Sequence, residues 1–251
     1  MKHLDLFSGI GGFALAAQWA GFETIGFCEK DPFCQKVLRK HWPNTFIFDD
    51  IVTMHHFQEV DLLTGGFPCQ PFSVCGKKRG TKDDRYLWPA MFKIIRECKP
   101  TWIVAENVTG ILGMVLENIL NDLELEGYET QSFIIPACAA NAPHRRDRVW
   151  VVAHLDRERR QLWSDYWESG SVQENWLRNV AEIQKGWEQR KPQPWATMQA
   201  RELFEYNAHL SRVDDGLPNR VDRIKALGNA IVPQVVYPIL KLIHDIENHL
   251  P

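Results

Sequence analysis

The sequence predicts an α/β protein with a Rossmann-like architecture, in which a mixed, mostly parallel sheet carries helices on both faces. Short apolar runs alternate with helical patterns from residue 1 to about residue 153, and a glycine-rich turn joins the first run to the first helical pattern. A chain of 251 residues that is 45% hydrophobic can also bury a full α/β domain and leave length for one small module.

The N-terminal segment is predicted to form a strand, a glycine turn and a helix. The apolar run Leu4–Phe7 is followed by Ser8-Gly9-Ile10-Gly11-Gly12 and then by a helical pattern that stops at Gly21. Glycines in this arrangement allow a tight turn and let a cofactor approach the backbone at a helix N-terminus. The same spacing also suits a plain strand-to-helix turn, so the motif alone leaves both interpretations open.

Acidic residues follow the next two predicted strands. The segment Phe22–Glu29 alternates like a strand, and Glu29 lies 17 residues after the last glycine of the turn, where a ribose diol is usually bound. Asp31 then supplies the N-cap of a helix. The run Phe46–Phe48 ends in Asp49-Asp50-Ile51. These strand ends indicate a nucleoside-containing cofactor. The acidic residues alone do not show whether it is a nicotinamide cofactor, a flavin or S-adenosylmethionine.

A cysteine lies just beyond the fourth apolar run, which ends at Leu62-Leu63-Thr64. The segment reads Gly66-Phe67-Pro68-Cys69-Gln70-Pro71-Phe72-Ser73. The two prolines fix φ on either side of the thiol and remove backbone donors, which predicts a stiff loop that presents a nucleophile. A free cysteine is more often a buried structural residue, so Cys69 needs an acid or base nearby to be reactive.

The fifth predicted strand supplies such a group. Thr101–Ala105 is a buried-type run, and Glu106-Asn107-Val108 follow it directly. Because ligands bind at the carboxyl ends of strands in an open parallel sheet, Glu106 and Cys69 are expected in one cleft. The amphipathic stripe from Leu112 to Leu123 predicts a core helix.

A basic segment precedes the last predicted strand of this region, Val149–Val152. It reads Asn141-Ala142-Pro143-His144-Arg145-Arg146-Asp147-Arg148, and its arginines suit either a solvated turn or an anion near the thiol. From about 155 to 215 charged residues are interspersed with tryptophans, and a final amphipathic helix is predicted from Val235 onward.

Five motifs in this order resemble those of DNA (cytosine-5) methyltransferases of the bacterial and phage type. They are Asp5-Leu6-Phe7-Ser8-Gly9-Ile10-Gly11-Gly12, Gly66 to Ser73, Glu106-Asn107-Val108, Arg146-Asp147-Arg148 and Gly228-Asn229-Ala230-Ile231-Val232-Pro233. The resemblance implies a Rossmann-like S-adenosylmethionine-dependent methyltransferase fold plus a small target-recognition module. It divides the chain into a catalytic and cofactor-binding domain (1–154), a short recognition region (155–215) and a C-terminal segment that packs back on the first domain (216–251).

The resemblance also implies the reaction, a methyl transfer from S-adenosylmethionine to carbon 5 of a cytosine flipped out of double-stranded DNA. Cys69 matches the nucleophile that adds to carbon 6, and Glu106 matches the acid that engages ring nitrogen N3 and the exocyclic amine. Arg148, with Arg146, matches the pair that contacts the base carbonyl and orders the site, while Asn107 braces the loop.

The cofactor residues follow from the same resemblance. The cofactor loop would comprise Phe7, Ser8, Gly9, Ile10, Gly11 and Gly12. Glu29 would bind the ribose, Asp50 and Ile51 the adenine, and Asn229 would close the methionine end. No metal site is expected, because the six cysteines show no Cys-x-x-Cys pair.

Four features depart from the family pattern or stand outside it. His144 replaces the usual glutamine, and Asp49 stands where a glycine often precedes the adenine-binding aspartate. The basic segment Cys75–Arg85 is interpreted as a lid that closes on DNA, or as an ordinary exposed loop. The recognition region, about 60 residues from 155 to 215, is short, which suggests a short or loosely read site, or a need for a partner chain.

Composition sets the remaining expectations. The net charge of −3 argues against a globally basic nucleic-acid coat. With neither a signal-peptide pattern nor a membrane-spanning run, we expect a cytoplasmic monomer without membrane contact, and the existence of a cognate restriction endonuclease is left open. A nicotinamide or flavin oxidoreductase would leave Cys69 and Glu106 without roles. A non-catalytic DNA-binding relative would be free to lose Cys69 and Glu106, so their presence argues against that class. A tRNA cytosine-5 methyltransferase shares the same motifs and stays an alternative.

Overall fold

The computed structural model describes residues 1–54, 59–68, 86–140, 142, 145–155 and 220–249. These residues form one seven-stranded sheet with the strand order β3-β2-β1-β4-β5-β7-β6. The strands are β1 (Lys2–Leu6), β2 (Glu23–Cys28), β3 (Phe46–Phe48), β4 (Leu62–Gly65), β5 (Trp102–Val108), β6 (Glu129–Pro136) and β7 (Asp147–His154). The helices are α1 (Gly12–Ala20), α2 (Pro32–His41), α3 (Trp88–Cys98), α4 (Met114–Leu125), α5 (Arg220–Asn229) and α6 (Pro233–His249).

The sheet is mixed and mostly parallel, as the sequence predicted. Strands β1 to β5 pair in parallel, whereas β7 runs antiparallel to both β5 and β6. Strand order reverses at β1, whose neighbours are β2 on one side and β4 on the other. Such a switch point opens a crevice at the carboxyl ends of the strands, and this is where ligands bind in open α/β sheets.

Local sequence signals set the first helices. Gly11 and Gly21 take left-handed conformations, with φ of 87° and 97°, directly before and after α1. Asp31 caps α2, because its side chain accepts from the backbone N–H of Phe33 at 2.9 Å, and Pro32 occupies the first turn.

Strand β5 is longer than predicted. The expected run ended at Ala105, but pairing with β7 continues to the partners Val108 and Arg148. Glu106 therefore lies within the strand, two residues before its end. Helix α3 and strand β6 were not predicted at all. Helix α3 carries a readable stripe of buried residues at helical spacing, whereas β6 lacks a regular alternation of buried and exposed positions.

Apolar layers cover both faces of the sheet. On one face, residues such as Leu63 and Ile103 pack with α3 and α4. On the other, Trp102 and Val104 pack with α1 and α6. The indole N–H of Trp102 donates to Glu247 of α6 at 3.0 Å, which anchors the last helix to the centre of the sheet. In the described ranges, no helix combines the length and apolar character needed to cross a membrane.

A buried polar chain runs across the sheet beneath the glycine turn. The ring of His3 lies 2.9 Å from the Thr24 hydroxyl and 2.8 Å from the Thr64 hydroxyl, which in turn donates to Asp5 at 2.8 Å. With Thr64 donating to Asp5, the His3 Nε2–H donates to the Thr64 oxygen and Nδ1 accepts from the Thr24 hydroxyl.

Candidate active site

The backbone turn after β1 has the conformation of a ligand-binding glycine loop. Phe7, Gly9 and Gly11 have φ angles of 54°, 54° and 87°. A Cβ atom added at Gly9 would meet nothing within 4 Å, whereas one at Gly11 would lie 2.5 Å from Trp42. The turn thus has open space at Gly9 and is fixed by packing at Gly11.

Ser8 and Ile10 complete this turn. The hydroxyl of Ser8 is buried and donates to the carbonyl of Asp5 at 2.6 Å, and the Ser8 carbonyl accepts from the N–H of Gly11 at 2.9 Å. Ile10 is half-buried. Because the polar contacts of Ser8 are internal, this residue shapes the loop.

Glu29 follows β2 and ties the glycine turn to the start of α2. One carboxylate oxygen accepts from the N–H of Gly9 and the other from the N–H of Asp31, each at 2.7 Å. Burial raises the pKa of Glu29 above its usual value, and the backbone hydrogen bonds oppose this shift. Each oxygen keeps a second lone pair, so the carboxylate can also accept from a ribose diol. Its position and chemistry fit a nucleoside cofactor.

Asp50, the predicted adenine residue, lies two positions after the end of β3. Its carboxylate accepts from the backbone N–H of Val52 and from Lys30, both at 3.0 Å, and these contacts lower the pKa of Asp50. Ile51, by contrast, is 4% exposed and packs in the core below this edge.

Two residues around this cofactor edge were missed by sequence reasoning. The buried amide of Gln35 donates to the carbonyl of Glu29 at 2.7 Å and to the carboxylate of Asp49 at 2.9 Å. Lys225 of α5 pairs with Asp31 at 2.8 Å. Neither residue belongs to a sequence motif, and Lys225 lies 194 positions from its partner Asp31 along the chain. Only the folded structure therefore reveals these two contacts.

Strand register aligns the last residues of β2, β1 and β4 with a residue of β5. The aligned residues are Cys28, Leu6, Gly65 and Ala105. The next residues along the chain are Glu29, Phe7 and Gly66, which follow their strands, and Glu106, which still pairs within β5. The predicted cofactor loop, ribose ligand and acid therefore share one edge of the sheet.

Glu106 and Arg148 form a largely buried ion pair at this edge. The Arg148 Nε lies 2.8 Å from the Glu106 Oε1, and the two side chains are 22% and 12% exposed. Burial raises the pKa of Glu106, although the charges of Arg148 and Arg146 oppose the shift. The direction of this shift favours the protonated carboxyl group, which makes Glu106 a candidate proton donor.

The strand end that leads to the predicted nucleophile packs directly against Glu106. A Cβ atom added at Gly66 would lie 3.3 Å from the Glu106 carboxylate, so only a small residue fits without displacement. The buried side-chain amide of Asn107 donates to the carbonyl of Phe67 at 2.9 Å, and its oxygen accepts from the N–H of Val108. These contacts hold the backbone up to Pro68 beside the acid.

Arg146 and the segment after α5 form the opposite side of the cleft. Arg146 takes a positive φ of 41°, and its guanidinium donates to the carbonyl of Ala230 at 2.8 Å. Burial, followed by the charge of Arg148, lowers the pKa of Arg146. The cleft between Glu106 and this segment is also lined by Ile231 and Val232. Asn229 is exposed at the end of α5.

Several predicted features lie outside the described residues. They are Cys69, which follows Pro68, the basic segment Cys75–Arg85, His144, and all but the first residue of the recognition region up to position 215.

A solved structure shows the fold class. The structure of the S. pombe Dnmt2 methyltransferase matches with a TM-score of 0.63 and 17% sequence identity, covering 99% of each chain. At this identity the likeness shows the fold alone, a Rossmann-like methyltransferase fold with a mostly parallel sheet.

Sequence comparisons define the family. The model of the C-5 cytosine-specific DNA methylase family matches residues 1–213. The Type II methyltransferase M.HgiCII of Herpetosiphon aurantiacus is 33% identical over 159 residues, and M.PspPI of Psychrobacter sp. (strain TA137) is 38% identical over 159 residues. The chain belongs to the C-5 cytosine-specific DNA methylase family, as its motifs predicted.

The matched region is a limited part of these relatives. It covers 60% of this chain and 36% of M.HgiCII, and 59% of this chain and 38% of M.PspPI.

Proposed function

We propose that the chain is an S-adenosylmethionine-dependent methyltransferase that modifies carbon 5 of a cytosine within a specific site of double-stranded DNA. One observation carries the proposal: the buried carboxyl group of Glu106, paired with Arg148, lies against Gly66, three residues before Cys69. An acid and a thiolate are the two groups needed to activate a cytosine ring, and the position of Gly66 in the sequence leads us to propose Cys69 as the thiolate.

Carbon 5 of cytosine is a poor nucleophile, so the proposed reaction begins at carbon 6. The thiolate of Cys69 forms a bond to carbon 6 while protonated Glu106 donates to ring nitrogen N3, and the ring electrons become available at carbon 5. S-adenosylmethionine, when bound, would supply the methyl group as the electrophile for carbon 5 and keep the electron pair of the broken S–CH3 bond. Return of the N3 proton to Glu106, loss of the carbon 5 proton to a base and departure of the Cys69 thiolate then restore the double bond and release 5-methylcytosine.

The structure supports a proton-donating role for Glu106. A carboxyl group at its ordinary pKa would be almost fully ionised near neutral pH, and burial shifts the pKa of Glu106 in the direction that retains the proton. Arg148 keeps the carboxyl group oriented through the 2.8 Å contact, and we propose that it also contacts the base carbonyl.

The cofactor edge fits S-adenosylmethionine, which carries a ribose diol. Glu29 has lone pairs that could accept hydrogen bonds from the ribose, and the turn has open space at Gly9. Asp50 lies beyond the end of β3, where it could accept from the adenine. These residues would bind and orient the cofactor at the same sheet edge as Glu106, so that its methyl group and the base meet.

Carbons 5 and 6 are stacked inside duplex DNA, so the target base must rotate out of the helix to reach this cleft. Unstacking costs a few kcal/mol, and contacts to the DNA backbone must offset it. Since the similar proteins are Type II methyltransferases, we place the protein in a restriction-modification setting. That it is a cytoplasmic monomer stays a prediction from the sequence.

The direct test is transfer of radiolabelled methyl from S-adenosylmethionine to unmethylated duplex DNA and to tRNA, with wild type beside Cys69→Ser. We expect label on DNA at cytosine carbon 5, located by bisulfite sequencing, and none with the variant. Full activity of Cys69→Ser would refute the covalent mechanism. Label on tRNA instead of DNA would overturn the proposed substrate.

A further inference from the structure

The two arginines at the start of β7 contact different parts of the molecule. Arg148 pairs with Glu106 at 2.8 Å, on the side of the predicted base pocket. Arg146, two positions earlier, donates to the carbonyl of Ala230 at 2.8 Å. This carbonyl lies immediately after the last residue of α5, where helix carbonyls lack intrahelical partners and carry partial negative charge. A guanidinium is therefore favourable there both as a donor and as a cation.

The segment that Arg146 holds also touches the cofactor loop. A Cβ atom added at Gly12 would lie 2.8 Å from the Ile231 side chain and 3.3 Å from its carbonyl oxygen. The last glycine of the loop, which is also the first residue of α1, thus packs closely against Ile231. Ala230 and Ile231 are consecutive, so this short segment is held by Arg146 on one side and by the cofactor loop on the other.

We propose that Arg146 is a positioning residue for the cofactor site and that Arg148 alone of the pair serves the base pocket. Arg146 acts through Ala230 and Ile231, because its hydrogen bond keeps Ile231 packed on Gly12 and so keeps the N-terminus of α1 in its ligand-binding position. This inference rests on the proposed function. It gives separate roles to Arg146 and Arg148, to which the family resemblance assigns one shared role in the base pocket.

The test measures binding of S-adenosylhomocysteine by calorimetry in the absence of DNA. We expect Arg146→Met to raise the Kd about tenfold, because a charge-assisted hydrogen bond is lost. The matched control Arg148→Met, two residues along the chain, should stay within about twofold of wild type. Arg146→Lys keeps the charge and a donor, so it should recover part of the affinity.

A second pair of variants separates positioning from general loss of stability. Ile231→Ala removes the contact with Gly12 and should also weaken binding, and the double variant Arg146→Met/Ile231→Ala should lose less affinity than the product of the single losses, since both act through one segment. Thermal unfolding is measured for each variant, and the comparison uses temperatures at which all are folded.

Steady-state kinetics adds an independent measurement. Arg146→Met should raise the KM for S-adenosylmethionine more than it lowers kcat, whereas Arg148→Met should act mainly on kcat. Two results would overturn these separate roles. One is that both methionine variants bind S-adenosylhomocysteine with the affinity of the wild type. The other is that the losses of affinity in the double variant are strictly multiplicative. Failure of the wild type to bind S-adenosylhomocysteine would overturn the proposed function itself.

Discussion

At the scale of single residues, the cofactor edge depends on side chains that hold backbone in place. Gln35 is 9% exposed and uses its amide N–H groups to connect the carbonyl of Glu29 with the carboxylate of Asp49. It thereby joins the end of β2 to the segment after β3. Asp49 departs from the glycine that the family often has here, and its carboxylate gives Gln35 a partner that glycine lacks.

Replacement of Gln35 by methionine should weaken cofactor binding. The variant keeps the side-chain length but removes the donor to the half-buried Glu29 and to the exposed carboxylate of Asp49, a loss of about 1 kcal/mol. We expect a roughly fivefold loss of affinity for S-adenosylmethionine by equilibrium dialysis. Arg39→Met, which removes only the exposed donor to the Gln35 oxygen, is the control and should change little.

The buried pair Asp5 and His3 should make stability depend on pH. Burial raises the pKa of Asp5 to about 8 and lowers the pKa of His3 to about 3. Above about pH 6.5, where unfolded histidine is already neutral, unfolded Asp5 is ionised while folded Asp5 retains its proton. The folded state then binds more protons, so its stability falls as pH rises towards 8, by at most about 1.4 kcal/mol per pH unit. Between about pH 4 and 6.5 the lowered pKa of His3 contributes a slope of opposite sign and similar size, so the two contributions cancel.

Urea unfolding of wild type and Asp5→Asn at pH 6.5 and 8 measures this effect. Asparagine cannot ionise, and its carbonyl can still accept from Thr64. We expect the variant to lose less stability than wild type between the two pH values. The same loss in both proteins would assign the pH dependence to other groups.

At the scale of elements, helix α6 completes the core on one face of the sheet. Leu240 is fully buried there beside Trp102, and the helix also supplies the carboxylate that accepts from that indole. Packing at the centre of the sheet therefore connects the end of the described chain to the strand that carries Glu106.

Truncation of Leu240 should destabilise the fold strongly. Leu240→Ala opens a cavity in the core and should lower the free energy of unfolding by about 2–5 kcal/mol. Leu125→Ala, at a position in α4 that is 85% exposed, should change it by about 0.5 kcal/mol or less. Denaturant unfolding of both variants provides the comparison, and equal effects would show that α6 contributes no core packing of this kind.

Elements were predictable where a local signal determined them. Strands β1 to β4 and the cap of α2 were readable from apolar runs, glycines and Asp31, because each signal lies within the element itself. The extension of β5 to Val108 was not, since it depends on antiparallel pairing with β7, some 40 residues later. The arrangement of the site followed the same pattern. Strand ends predicted that Glu29 and Glu106 share an edge, whereas the contact of Arg146 with Ala230 arises only on folding.

At the scale of the whole molecule, cofactor binding should stabilise the fold. A ligand that binds only the folded state adds about 2.7 kcal/mol at a concentration 100 times its Kd. We expect S-adenosylhomocysteine to raise the Tm by several degrees in a thermal shift assay. NAD and FAD are the controls and should leave it unchanged. A shift with either of these alone would favour the oxidoreductase alternative.

The packing of α6 on α1 also has a consequence for synthesis in the cell. The buried alanines of α1 are covered by side chains of a helix that begins at Pro233, more than 200 residues later along the chain. At about 5–20 residues per second, the ribosome needs on the order of 10 to 40 seconds to make the intervening chain. For that interval the nascent chain presents the uncovered face of α1 to chaperones.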